Sequence, residues 1–138
     1  MVKLENKKKI GILGGTFDPP HKGHLQISIE ARKQFKINYI IWAVTKKNPF
    51  KKKSLFTLKK RISLAKNLNY KKKYISIRYF EDKINSNKTL NLINFIEKKY
   101  KGCQLYYLMG ADNLISFHKW LKWKHISSKC NILVFDRT

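Results

Sequence analysis

The 138-residue sequence predicts an α/β fold built on a five-stranded, doubly wound parallel sheet of order 3-2-1-4-5. Short apolar runs of strand length alternate with stretches whose apolar residues recur at helical spacing, which is the pattern of βαβ units. The runs at residues 39–44 and 104–109 are almost continuously apolar, as expected of strands covered on both faces. Glycine-rich turns follow two of the runs, where an open parallel sheet places its ligands.

The first strand is predicted over about Lys9 to Leu13, after a basic leader from Met1. It leads into Gly14-Gly15-Thr16-Phe17-Asp18-Pro19-Pro20-His21-Lys22-Gly23-His24-Leu25, the stretch on which the rest of the chain is organised. This reads as a strand-to-helix turn that cradles phosphate. Paired glycines leave no Cβ between backbone and ligand, and amide N–H groups at such a turn face outward toward an anion. Gly23-His24 opens a helix to roughly Lys36, whose unpaired N–H groups and positive dipole end favour phosphate. Two imidazoles three positions apart can point at the anion held there. Leu25, Ile27, Ile29, Ala31 and Phe35 are expected on the buried side of this helix, with Gln26, Glu30, Lys33 and Gln34 on the other.

The second strand, about Asn38 to Val44, is followed by the lysine-rich loop Thr45 to Lys53. A helix over Thr57 to Leu68 carries Leu58, Ile62, Ala65 and Leu68 as its apolar stripe, with Arg61 near the edge as a structural residue paired with a carboxylate. Tyr74 to Arg78 alternates as an outer strand. A further helix runs through Leu92, Ile93 and Ile96 to Tyr100, and Ser86 is a candidate for its N-cap. Gln104 to Met109 forms a buried strand ending in Gly110-Ala111-Asp112, where a glycine admits a ribose and a carboxylate accepts from its hydroxyls, or where Asp112 simply caps the next helix. Asn131 to Phe135 is the last strand.

Composition narrows the class. Hydrophobic content of 43% with 13% aromatic residues suits one folded domain over 1–138. No apolar run approaches a membrane span, and the N-terminus lacks the apolar core of a signal peptide, so a cytoplasmic protein is expected. Cys103 and Cys130 read as small buried thiols, and neither shows the paired spacing of a metal site. The net charge of +23 suggests an anionic partner. Only Arg32, Arg61, Arg78 and Arg137 among the 31 basic residues are arginine, however, which disfavours nucleic acid as a partner and favours a solvated lysine surface that steers anionic substrates inward.

The Gly14 to His24 stretch resembles the signature of the nucleotidylyltransferase superfamily, with its His-x-Gly-His motif, and most resembles bacterial nicotinate-nucleotide adenylyltransferases. The resemblance implies a Rossmann-like fold and transfer of AMP from ATP to nicotinate mononucleotide, with Mg²⁺ accompanying ATP and no metal ligands from protein side chains. It implies His21, His24 and Lys51 as catalytic residues, Lys51 lying in the Asn48-Pro49-Phe50-Lys51 loop. ATP is expected on Gly14, Gly15, Thr16, Phe17, His21, His24, Gly110 and Asp112. Nicotinate mononucleotide is expected on Asn85, Ser86 and Trp120. Two departures stand out: Asn85 and Lys88 replace a tyrosine and an aspartate of the family pattern, and the Ile-Ser-x-Thr-x-Ile-Arg-like motif of the family's C-terminal part does not follow, so a chain truncated at that end is expected. The alternatives are a pantetheine-phosphate adenylyltransferase, a cytidylyltransferase, or a lysine-rich nucleic-acid-binding protein on a degenerate form of the fold.

Overall fold

The computed structural model describes residues 8–46, 54–111 and 123–136. Five strands, β1 (Lys9–Gly15), β2 (Tyr39–Val44), β3 (Ile75–Arg78), β4 (Gln104–Gly110) and β5 (Asn131–Phe135), form one all-parallel sheet in the order β3-β2-β1-β4-β5. Among the described residues the helices with both ends in view are α1 (Lys22–Phe35), α2 (Leu58–Leu68), α3 (Glu81–Ile84), α4 (Thr89–Lys99) and α5 (Trp123–Lys129).

Side chains alternate across the strands and so divide the core into two layers. On one face Ile10, Ile12, Ile41, Ala43, Leu105, Tyr107 and Met109 meet Ile93 and Ile96 of α4 and Ile126 of α5. On the other, Leu13, Ile40, Trp42, Val44, Tyr106 and Leu108 meet Ile27 and Ala31 of α1 and Ala65 of α2. Helices on both faces account for the near-continuous apolar sequences of β2 and β4.

Two details of α1 differ from the periodicity. Ser28 is fully buried, whereas Phe35 is 38% exposed and meets Phe135 edge-on. Helix α2 begins as expected, with the Thr57 side chain accepting from the Lys60 N–H.

The topology positions the site. β1 lies between β2 and β4, with Leu13 level with both Trp42 and Leu108. The chain leaves β1 toward one neighbour and returns to the other, which opens a crevice at the carboxyl ends of β1 and β4.

Candidate active site

Strand β1 continues to Gly15, two residues further than its apolar run, so Gly14 and Gly15 are the end of the strand and the turn proper is Thr16 to Pro20. Helix α1 starts at Lys22 with His21 as an extended N-cap. The His21 Nδ1 accepts from the Gly23 N–H at 3.0 Å, and the His24 Nδ1 accepts from the His21 N–H at 3.1 Å. This is the reciprocal capping box that Ser or Thr with Glu usually makes, built here from two imidazoles.

That geometry fixes a tautomer. A ring nitrogen that accepts carries no proton, so each neutral imidazole carries its proton on Nε2. The two rings stack, with centroids 3.9 Å apart and planes 28° apart. Two N–H donors therefore stand side by side at the positive end of a 14-residue helix, an arrangement suited to a phosphate.

The two glycines differ in what their bareness serves. A Cβ on Gly14 would stand 2.7 Å from the Tyr107 hydroxyl, so Gly14 makes room for a buried side chain. A Cβ on Gly15 would meet only the Phe17 ring at 3.7 Å, an ordinary contact. Neither glycine has a left-handed backbone; Phe17 does, with φ 51°. The Tyr107 hydroxyl is bonded to the Thr89 side chain, and burial pushes its pKa up to about 12.

Arg61 is only 1% exposed, and among the described residues no carboxylate forms an ion pair with it. This corrects the expected pairing. Its guanidinium donates to four main-chain carbonyls: Phe56 O at 3.1 Å, Thr16 O and Thr45 O at 2.8 Å, and Lys46 O at 2.5 Å. Only a planar fork with several donors can tie the ends of β1 and β2 to the chain entering α2 in this way. Asp18 reinforces the junction by accepting from the Leu55 N–H at 2.6 Å and the Phe56 N–H at 2.7 Å. Glu81 of α3 accepts from the Lys46 N–H at 3.0 Å.

Gly110, buried at the end of β4, lies at the same carboxyl edge as Gly14, Gly15, Thr16, Phe17, His21 and His24. The Asn85-Ser86 segment follows β3 at this edge, where Asn85 closes α3 with φ 52°. The N-cap of α4 is Lys88, which corrects the Ser86 expectation. The Ser86 Oγ instead accepts from the Lys88 N–H at 3.1 Å and the Asn91 Nδ2 at 2.8 Å, fixing the entry to α4. Lys51, Asp112 and Trp120 lie outside the described residues.

Cys130 is buried and Cys103 half-buried, both as free thiols. Burial pushes the Cys130 thiol up to about 11. Among the described residues no group of three or more His, Cys, Asp or Glu is placed to hold a metal, and no helix is long and apolar enough to cross a membrane.

Sequence reasoning missed Asp18, Ser28 and Trp42 as parts of this site. The one available signal was Ser28, a polar residue four positions after His24 on an apolar helix face.

The cytidylyltransferase-like family model matches residues 12–138. The chain is 56% identical over 142 residues to the "Probable nicotinate-nucleotide adenylyltransferase" of Pelagibacter ubique (strain HTCC1062), covering 99% of this chain and 78% of that protein. It is 36% identical over 130 residues to the protein of the same name from Bradyrhizobium sp. (strain ORS 278), covering 94% and 67%. Among solved structures, Plasmodium falciparum nicotinic acid mononucleotide adenylyltransferase complexed with NaAD superposes with a TM-score of 0.78 at 17% identity, covering 94% of this chain and 65% of that one. At that identity the likeness speaks for the fold.

Proposed function

The chain belongs to the cytidylyltransferase-like family, among its nicotinate-nucleotide adenylyltransferases, and from that premise we propose how its residues transfer AMP from ATP to nicotinate mononucleotide. The products are nicotinate adenine dinucleotide and pyrophosphate, a step of NAD biosynthesis. An oxygen of the acceptor's 5′-phosphate forms a bond to the α-phosphorus of ATP, and the bond from that phosphorus to the bridging oxygen breaks, its electron pair leaving with pyrophosphate. A phosphate monoester with a second pKa of about 6 is already anionic, so the attack needs no general base. What the protein supplies is position and charge stabilisation.

The observation that carries the reading is the pair of Nδ1 atoms engaged by main-chain N–H groups, which puts the proton of each ring on Nε2 at the start of α1. In our reading these Nε2–H groups face the α-phosphate, with Gly15 and the Thr16-Phe17 backbone beneath it. Lys51 reaches the leaving pyrophosphate, Gly110 and Asp112 take the ribose, and Asn85, Ser86 and Trp120 surround the nicotinate ring.

The donor set around the motif fits an anion. Imidazole and amide N–H groups dominate it, and the Asp18 carboxylate is already engaged by two amides. A divalent cation, which we take to be Mg²⁺, would be held by the phosphates of ATP and would neutralise part of their charge. A cytoplasmic location accords with the two free thiols.

The test is pyrophosphate release from ATP against a panel of acceptors. Turnover is expected with nicotinate mononucleotide, above that with the nicotinamide form. Preference for phosphopantetheine, or for CTP over ATP, would move the chain within the superfamily. Steeply salt-dependent nucleic-acid binding without turnover would overturn the enzyme reading.

A further inference from the structure

Behind His24, the otherwise apolar layer between α1 and the sheet contains two polar atoms bonded to each other. Ser28 and Trp42 are both fully buried. The Trp42 Nε1–H donates to Ser28 Oγ at 2.8 Å, and Ser28 Oγ lies 3.1 Å from the His24 carbonyl oxygen. An indole N–H can only donate, so the hydroxyl must turn its own proton toward His24. The direction of the chain is fixed as Trp42 to Ser28 to the main-chain carbonyl of His24.

The same indole also supports the imidazole through rings. Trp42 lies flat on Phe17, with centroids 4.9 Å apart and planes 8° apart. Phe17 in turn closes on His24 at 4.6 Å, and Trp42 itself is 5.7 Å from that ring. Packing alone does not call for these residues. An alanine at 28 and an aliphatic residue at 42 would fill an apolar layer without burying polar groups, which is costly unless the groups are paired and specify one geometry.

We propose that Ser28 and Trp42 are positioning residues that hold the His24 backbone and ring in the orientation in which the His21 N–H selects the Nε2 tautomer required for phosphoryl stabilisation. The kinetic part rests on the adenylyltransferase reading; the tautomer part does not.

The test uses the full chain with ¹⁵N-labelled histidine. In the wild type His24 shows one tautomer, protonated at Nε2. In Ser28→Ala, and separately in Trp42→Phe, which keeps a ring against Phe17 and loses only the donor, the His24 signal is expected to broaden or to report both tautomers. Ser28→Ala should lower kcat about tenfold with KM for ATP within about twofold, the loss typical of a misplaced catalytic group. In a His24→Ala background the same substitution should change kcat by less than about twofold, because it acts through the imidazole.

An unchanged His24 signal in both variants would overturn the proposal. So would an equal kcat loss in both backgrounds. Failure of both variants to fold would also overturn it, by assigning the pair to the core alone. If the wild type does not turn over nicotinate mononucleotide, the functional reading fails and the tautomer measurement still decides this inference.

Discussion

The phenolic oxygen of Tyr107 lies 2.7 Å from where a β-carbon on Gly14 would stand, so a side chain of β4 occupies the space that a glycine of β1 leaves open. The two central strands interlock beneath the phosphate cradle. Gly14→Ala should destabilise the fold by about 1–3 kcal/mol, as overpacking a close-fitted site does. Removing the hydroxyl in Tyr107→Phe should relieve the clash, giving a coupling energy of about 1 kcal/mol in a double-mutant cycle followed by urea unfolding. Gly15→Ala should unfold like the wild type, and any loss of turnover in it then reports on the approach of the ligand.

His24→Ala should lower turnover about 10²- to 10³-fold, the usual loss of one preorganised donor to a transition state, with ATP affinity little changed. Steady-state kinetics with direct ATP titration separates the two. Equal losses in both would make His24 a ground-state ligand.

Arg61 holds carbonyls from three chain segments, and no other side chain can replace that fork. Arg61→Lys and Arg61→Met should each lose at least about 3 kcal/mol, since several buried acceptors are left unpaired at about 1–3 kcal/mol apiece. Thermal unfolding measures it. A loss below about 1 kcal/mol would mean that water satisfies those carbonyls.

Burial raises both Tyr107, to about 12 from 10.0, and Cys130, to about 11 from 9.0. The native state therefore keeps protons that the unfolded chain gives up. Their contribution is fully present below pH 9 and is lost as pH rises through 9–11 for Cys130 and 10–12 for Tyr107. Between pH 8 and 10.5 the wild type should lose more stability than Tyr107→Phe. Taking the difference cancels the titration of lysines common to both. Over the same range Cys130 should react with a thiol reagent more slowly than the half-buried Cys103.

The strand order and the position of the crevice were legible because apolar runs and helical periodicity are local signals, and parallel connectivity leaves few ways to arrange them. The Gly14 to His24 motif was legible for the same reason. The partners of Arg61 were not, since its four carbonyls come from Thr16, Thr45, Lys46 and Phe56, and a backbone acceptor leaves no mark on sequence. Trp42 read as one more apolar strand residue because its donor points at Ser28, which only the packing of α1 on β2 brings near. Ser86 was misassigned by two positions: its hydroxyl serves the residue before the helix, a local bond that competes with true capping.

The imidazole capping box has a consequence for how this protein can drift over generations. A histidine codon is one base change from asparagine or aspartate, which are strong N-caps, and one from glutamine, which serves at the third helical position of a capping box. At His21 and at His24, therefore, the nearest mutational steps include residues that keep the helix start while discarding the ring. A lineage freed from selection for turnover could pass through them with its architecture whole, and its members would carry the shape of the enzyme with an inert first turn.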